Sequence, residues 1–305
     1  MTWNEDRVHR WLSRELAPRG LSGAFGSDAA KLSGALRRPV ICVDQTIEGV
    51  HCAVGTEAEL VGRKAAARAL SDLAASAARP VALVLAMALD PATDEAWIRR
   101  AIRAVQREAR LHGAELVGGD LAQRRGRNTL VVTALGDGQG APVGRERARA
   151  GDVVLVTGPV GGSLLGRHLT FEPRVDAGLW LARNGARALM DVTDGLARDL
   201  ARLARASSVR IDLERVPIHS DARRLARKSG RSAFEHALHD GEDYELLATL
   251  SKKLFAALEP ELGERLPDAR VIGRVRRGAG LWLPASERES ELVRWHGRGG
   301  YVHGG

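Results

Sequence analysis

The stretch MDVTDGLARDL (190–200) sets two carboxylates, Asp191 and Asp194, three residues apart, where the apolar ARALM (186–190) gives way to a glycine and a helix start. An apolar run that ends in Asp-x-x-Asp-Gly reads as a strand, a tight turn and a helix, with Asp194 a natural N-cap for a helix beginning near Leu196. The same kind of unit recurs outward from it. Upstream lie a strand VVLVTG (153–158) and a glycine-rich turn GPVGGSLLG (158–166); downstream lie strands SVRIDL (208–213), YELLATL (244–250) and ARVIGRV (269–275). In the first half, EAELVGRKAAARALSDLAASAAR (57–79) carries alanine and leucine at helical spacing and stops before Pro80. VALVLAMAL (81–89) is a continuous apolar run that fits a buried strand, and TDEAWIRRAIRAVQREARLHG (93–113) is a second long helix with Thr93 as its expected N-cap. ELVGGD (115–120) and NTLVVTALGDG (128–138) follow as strands with turn glycines. Intermixed strands and helices predict an α/β (or α+β) chain. Glycine, proline and arginine replace apolar periodicity over 138–152, which divides the chain into domains 1–140 and 141–305.

Composition sets outer bounds. A chain of 305 residues, 44% apolar and 28% charged, suits a two-domain globular protein, and no run approaches the ~20 apolar residues of a membrane span. The opening MTWNEDRVHRWLSREL is charged and amphipathic, so it predicts a first helix and no secretion signal. Cys42 and Cys52 lie ten residues apart in a segment that reads as extended, where a bridge would need a sharp fold-back, which favours free thiols and a cytoplasmic location. The formal charge of +8 comes mainly from arginines spread along helical faces, with aromatics at 4% and no recognised nucleic-acid motif. Solvated faces that attract anionic small molecules explain that excess better than nucleic acid does.

Aspartates are the informative residues. Asp44 ends PVICVD, Asp120 ends LVGGD, and Asp191 and Asp194 frame DVTDG, so four carboxylates are expected at or just after strand ends; Asp28 in GSDAA and Asp72 in ALSDLAAS join them. Singly, each reads as turn or cap chemistry, or, for Asp72, as a solvated helix residue. Together they would repel one another unless cations neutralised them, and magnesium, which takes a few carboxylates and completes its shell with water and phosphates, fits best. A multi-magnesium nucleotide site is the expectation. The chain has no Walker-type loop, no dinucleotide fingerprint, no protein-kinase motif set and no paired Cys/His spacing for zinc.

GSDAA, VDQTIEGVH, GRKAAARALSDLAASAARP, LVGGD, RERARAGDVVLVTG, MDVTDGLARDL and DGEDYELL occur in an order that resembles the thiamine-monophosphate kinase family, within the superfamily of aminoimidazole-ribonucleotide synthetase and selenophosphate synthetase. The resemblance runs from about residue 22 to the terminal GGYVHGG. It implies a two-domain aminoimidazole-ribonucleotide-synthetase-like fold, with an amino-terminal sheet that dimerises and a carboxy-terminal α/β domain, and ATP with several Mg2+ ions in the groove between them. By position, Asp28, Asp44, Asp72, Asp120, Asp191 and Asp194 match its magnesium ligands. Gly119, Asp120, Arg145 and Thr193 match its ATP contacts, and His51, Glu242 and Tyr301 match positions that hold thiamine monophosphate. The implied enzyme is a cytoplasmic homodimeric kinase that makes thiamine diphosphate by in-line γ-phosphoryl transfer, with positioning and metals in place of a catalytic acid or base.

Several positions depart from that pattern. Ser27 replaces a carboxylate, and Cys42 and Val43 replace two hydroxyl residues that assist metal binding before Asp44. Gln45, Leu121 and Ala122 stand where threonines are usual. A thiol is a soft donor ill matched to magnesium and valine is none at all, so the resemblance implies a cage of fewer ions. Another small acceptor, or a non-catalytic nucleotide-binding dimer, remains open on sequence alone.

Overall fold

The structure is a computed structural model that describes residues 3–16, 29–30, 32, 35–139, 143–297 and 299–300. Asp28, Ser27 and Tyr301 therefore lie outside the described residues. The chain forms two compact units, one of Met1–Leu73, Ala78–Gly138 and Leu169–Glu172, the other of Ala74–Ala77, Gln139–His168 and Pro173–Gly305. Among the described residues no helix is long and apolar enough to cross a membrane, and both cysteines are free thiols.

In the first unit, strands β1 (Pro39–Ile47), β2 (Ala78–Leu89), β3 (Glu115–Gln123) and β4 (Thr129–Gly138) form a sheet in the order β1-β4-β2-β3, with only β2 and β3 parallel. Helices α2 (Ala58–Ala75) and α3 (Glu95–Leu111) bury Val61, Leu70 and Leu73 and Ile98, Ile102 and Val105 in the same core as Leu83, Met87, Leu116 and Leu130. Fully burying each such side chain contributes roughly 1.5–3 kcal/mol. Alanine-rich α2 forms because alanine is the best helix former and leaves room for close packing. The N-cap of α3 is Asp94, not Thr93: Asp94 accepts the Ala96 amide, whereas the Thr93 hydroxyl donates to Asn128 Oδ1 at 2.9 Å. The predicted first helix is α1 (Glu5–Glu15), capped by Asn4 and held to α3 by Arg7–Glu95 at 2.9 Å and by Arg99 and Arg103 over the Trp11 ring.

The second unit is a seven-stranded sheet, β11-β10-β7-β9-β5-β8-β6, built from β5 (Asp152–Val156), β6 (Ala188–Asp191), β7 (Arg210–Leu213), β8 (Leu246–Ser251), β9 (Arg270–Arg276), β10 (Gly280–Pro284) and β11 (Leu292–Arg294). Around it lie α4 (Val175–Arg183), α5 (Leu196–Ala206), α6 (Ser220–Ser229), α7 (Ala233–His239) and α8 (Lys252–Arg265). One apolar cluster takes Leu196, Leu200 and Leu203 of α5 with Ile211, Leu247 and Ile272; another takes Leu179 and Leu181 of α4 with Leu155, Leu189 and Leu250.

The strand-end placement of the aspartates needs correction at two positions. Asp44 lies inside β1, which pairs with β4 through Ile47, and Asp120 lies inside β3, which pairs with β2 through Gln123. The ladder continues past the polar residue because each aspartate points off the pleat and leaves its backbone free to pair. Asp191 does end β6, and Asp194 follows it in the turn.

Candidate active site

In the carboxy-terminal unit the turn after β6 is joined to DGEDYELL, far along the chain. The Val192 amide donates to the Glu245 carbonyl (2.8 Å), the Tyr244 amide to the Val192 carbonyl (2.9 Å) and the Glu242 amide to the Thr193 carbonyl (2.7 Å). Asp191 is buried at the head of this seam, and Glu242 faces the same turn. The fit demands glycine on both sides. A Cβ on Gly241 (φ +73°) would stand 2.6 Å from the Thr193 carbonyl oxygen, and one on Gly195 (φ +109°) 2.9 Å from that of Leu238. Glu242 and Tyr244 adopt left-handed backbone (φ +53° and +55°), a strain of roughly 1–3 kcal/mol each that the surrounding bonds must offset.

Asp194 does not cap α5. The cap position is Gly195, and the turn amides of Thr193 and Asp194 both donate to Asp199 Oδ2 at 2.9 Å. Arg202 Nη1 bonds Asp199 Oδ1 at 2.8 Å and also pairs with Asp194. Burial pushes the Asp199 carboxyl up to about 7, against the pull of the Asp194 amide and Arg202, while the Asp194 and Asp191 charges push the same way as burial. Asp199 thus shapes the turn from beneath, and Arg202 balances two of the carboxylates there.

The glycine-rich turn is a buttress for the same seam. Gly161 N donates to Asp243 Oδ1 (2.8 Å), Gly162 N to Asp240 Oδ2 (3.0 Å) and the Ser163 hydroxyl to the Gly241 carbonyl (2.6 Å). Arg167 pairs with Asp243 at 2.8 Å, and His168 Nδ1 lies 3.0 Å from Glu242 Oε2. Below them Glu245 accepts the Thr157 hydroxyl at 2.5 Å and takes Arg174 at 2.6 Å. These amides and hydroxyl are already committed within the protein.

Two further positions differ in how they relate to the turn. The Arg145 carbonyl accepts from the Ser207 hydroxyl, past the end of α5, about 16 Å of helix from the Asp194 end. Gly299 passes over α5, where its carbonyl accepts from Arg198 Nη2 at 2.8 Å.

In the amino-terminal unit, β1 alternates. Cys42 and Asp44 are half-buried on the face toward α2, while Ile41 and Val43 point outward at 71% and 62% exposure. Asp44 is held on both oxygens: Arg68 Nε donates to Oδ2 (2.9 Å), Arg68 Nη2 to Oδ1 (2.8 Å), and the Gln45 amide to Oδ1 (2.8 Å). The Cys42 thiol donates to the Ala69 carbonyl at 3.2 Å, and Val43 is on the opposite face from Asp44. Asp72 lies one helical turn beyond Arg68 on α2, half-buried. Asp120 is exposed on β3, beside Gly119, where a Cβ would stand 2.0 Å from the Leu85 carbonyl oxygen. His51 is buried in the turn after β1. Its Nδ1 accepts the Ile47 amide at 3.0 Å and its carbonyl accepts from the fully buried Lys64 ammonium.

The implied magnesium meets a divided answer. Carboxylate oxygens are hard donors suited to it, and exposed Asp120 offers them, whereas Asp191 is buried and Asp194 is paired with Arg202. Among the described residues, however, no group of three or more His, Cys, Asp or Glu is arranged to hold a metal ion, and Asp44 is engaged by a guanidinium and an amide.

The fold and these blocks define a class. Residues 26–137 match the model of the AIR synthase related protein N-terminal domain, and residues 149–281 that of the AIR synthase related protein C-terminal domain. The chain is 36% identical over 288 residues to the thiamine-monophosphate kinase of Rhodopirellula baltica, covering 92% of this chain and 87% of that one. It also matches the crystal structure of the Stenotrophomonas maltophilia K279a thiamine-monophosphate kinase (TM-score 0.76, 34% identity, 93% and 97% coverage). AaThiL complexed with AMPPCP and TMP is similar too (TM-score 0.75, 27% identity, 95% and 94% coverage). The chain belongs to the thiamine-monophosphate kinase family, as its motif order led one to expect.

Sequence reasoning missed Arg68, Asp199, Arg202, Asp243 and Glu245. Their only signals were Arg68 at i−4 from Asp72, Asp199 at i+5 from Asp194, and the acidic density of DGEDYELL.

Proposed function

We propose that this chain transfers the γ-phosphoryl group of ATP to the phosphate of thiamine monophosphate, giving thiamine diphosphate and ADP. The observation that carries the reading is its likeness, over 95% of the chain, to AaThiL complexed with AMPPCP and TMP, an ATP analogue together with the acceptor of this reading. An oxygen of the acceptor phosphate forms the new bond to Pγ as the bond from Pγ to the bridging oxygen of ADP breaks. That oxygen is already ionised at neutral pH, so no general base is needed, and the chain's task is to position and to neutralise.

Thr193, Gly119, Asp120 and Arg145 contact ATP in this reading, and His51, Glu242 and Tyr301 hold the acceptor. Glu242, fixed by its amide on Thr193 and by His168, offers a carboxylate to the thiazolium cation. His51 keeps Nδ1 as an acceptor for Ile47, which leaves Nε2 to carry the proton. Magnesium, when bound, would supply neutralisation of the phosphate charge, with Asp28, Asp44, Asp72, Asp120, Asp191 and Asp194 the carboxylates that their motif positions assign to it. The homodimer of this reading uses the outer face of the first sheet, where exposed Val43 and Val84 flank Thr133 in register.

The test is ADP release measured across a panel of acceptors. Thiamine monophosphate should be preferred over other phosphate monoesters by at least tenfold in kcat/KM. A different preferred acceptor would identify a related phosphotransferase, and ATP binding without ADP release under any acceptor would identify a nucleotide-binding protein.

A further inference from the structure

We propose that the Arg68 guanidinium is a built-in cation at Asp44 and replaces the divalent ion that this carboxylate would otherwise bind, so that the chain works with a smaller metal complement. The inference rests on the metal-dependent kinase reading above and concerns one position of it. Asp44 Oδ2 accepts from Arg68 Nε and Oδ1 from Arg68 Nη2, the two-point geometry in which a guanidinium matches a carboxylate. The Gln45 amide adds a third bond on Oδ1. Three of the roughly four lone-pair directions of the carboxylate are therefore filled by donors that repel a cation.

The surroundings agree. The Arg68 side chain is 12% exposed and that of Asp44 23%, so the pair is packed between β1 and α2 and not a solvent-screened contact. Cys42, on the same face of β1, turns its thiol to the Ala69 carbonyl, and Val43 points away. No second hard donor from these neighbours accompanies Asp44. Arg68 also precedes Asp72 by one helical turn on one stripe of α2, which places its positive charge on the side where the next carboxylate stands. A guanidinium is charged at every physiological pH and cannot dissociate, so it neutralises Asp44 without dependence on metal supply.

The test is Mn2+ binding to the full-length protein with saturating AMPPCP, free Mn2+ being read by EPR, for the wild type, Asp44→Asn and Arg68→Met. Asp44→Asn should leave the number of bound Mn2+ ions unchanged and their affinity within twofold. Loss of one equivalent, or weakening by tenfold or more, would overturn the proposal. If Asp44→Asn does not fold, Arg68→Met decides: it should gain one Mn2+ equivalent, and an unchanged number would overturn the proposal. Arg68→Met reports on the replacement even where the wild type binds no Mn2+, an outcome that counts against the metal-dependent kinase reading alone.

Discussion

The Thr193 carbonyl accepts the Glu242 amide at 2.7 Å, and this bond ties the turn that carries Asp191 and Asp194 to the segment that carries the acceptor-binding candidate. A displacement on either side of the seam moves both. Gly241 stands at its tightest point, with a left-handed φ of +73° and no room for a Cβ against Thr193.

Gly241→Ala should therefore destabilise the protein by about 1–3 kcal/mol, from strain and contact together. Urea unfolding checks the stability. Loss of activity should accompany it even at temperatures where the variant is fully folded, because Thr193 and Glu242 would both shift.

Buried Asp243 predicts a pH dependence. Burial raises its carboxyl from the ordinary 3.8 to about 7 despite the Arg167 guanidinium and the Gly161 amide. The folded state then binds a proton that the unfolded state has released, so this group's favourable contribution is full below about 4 and is lost as pH rises to about 7. Asp243→Asn should flatten the fall in unfolding free energy between those values, measured by denaturant titration at a series of pH values. An unaltered slope would show that Asp243 titrates normally.

Glu242→Gln keeps the shape and its backbone bond to Thr193 but removes the charge that the proposed function assigns to the thiazolium. The expected result is a KM for thiamine monophosphate raised about tenfold, with the KM for ATP within twofold of the wild type. Equal changes in both would point to a disturbed turn.

The outward face of β1 carries Ile41 and Val43, apolar and well exposed. Val43→Lys should shift the particle mass from dimer to monomer in sedimentation equilibrium while leaving the fold intact by circular dichroism. A monomeric wild type would show that this face is not a dimer interface.

Much of this was legible because local chemistry and tertiary structure agree. Apolar Ala188–Met190 followed by Asp-x-x-Asp-Gly gave the strand and turn, and the alanine–leucine spacing gave α2. Asp44 and Asp120 misled because a strand's end depends on how far its partner runs, and β4 and β2 continue beyond the point where side-chain polarity suggests a stop. The cap of the aspartate turn was hidden because Asp199 acts backward from inside α5, where it reads as an ordinary polar helix residue. Arg68 looked like one more basic residue on a helix. Its meaning depends on β1 lying beside α2, which no local pattern in the chain encodes.

31P NMR of the purified protein with Mg2+, ATP and thiamine monophosphate tests the phosphoryl transfer directly, with Asp191→Asn as the control. The paired resonances of thiamine diphosphate should grow in equal amount with ADP, without inorganic phosphate, and should be lost in Asp191→Asn. ATP consumed to ADP and inorganic phosphate with thiamine monophosphate unchanged would contradict the transfer.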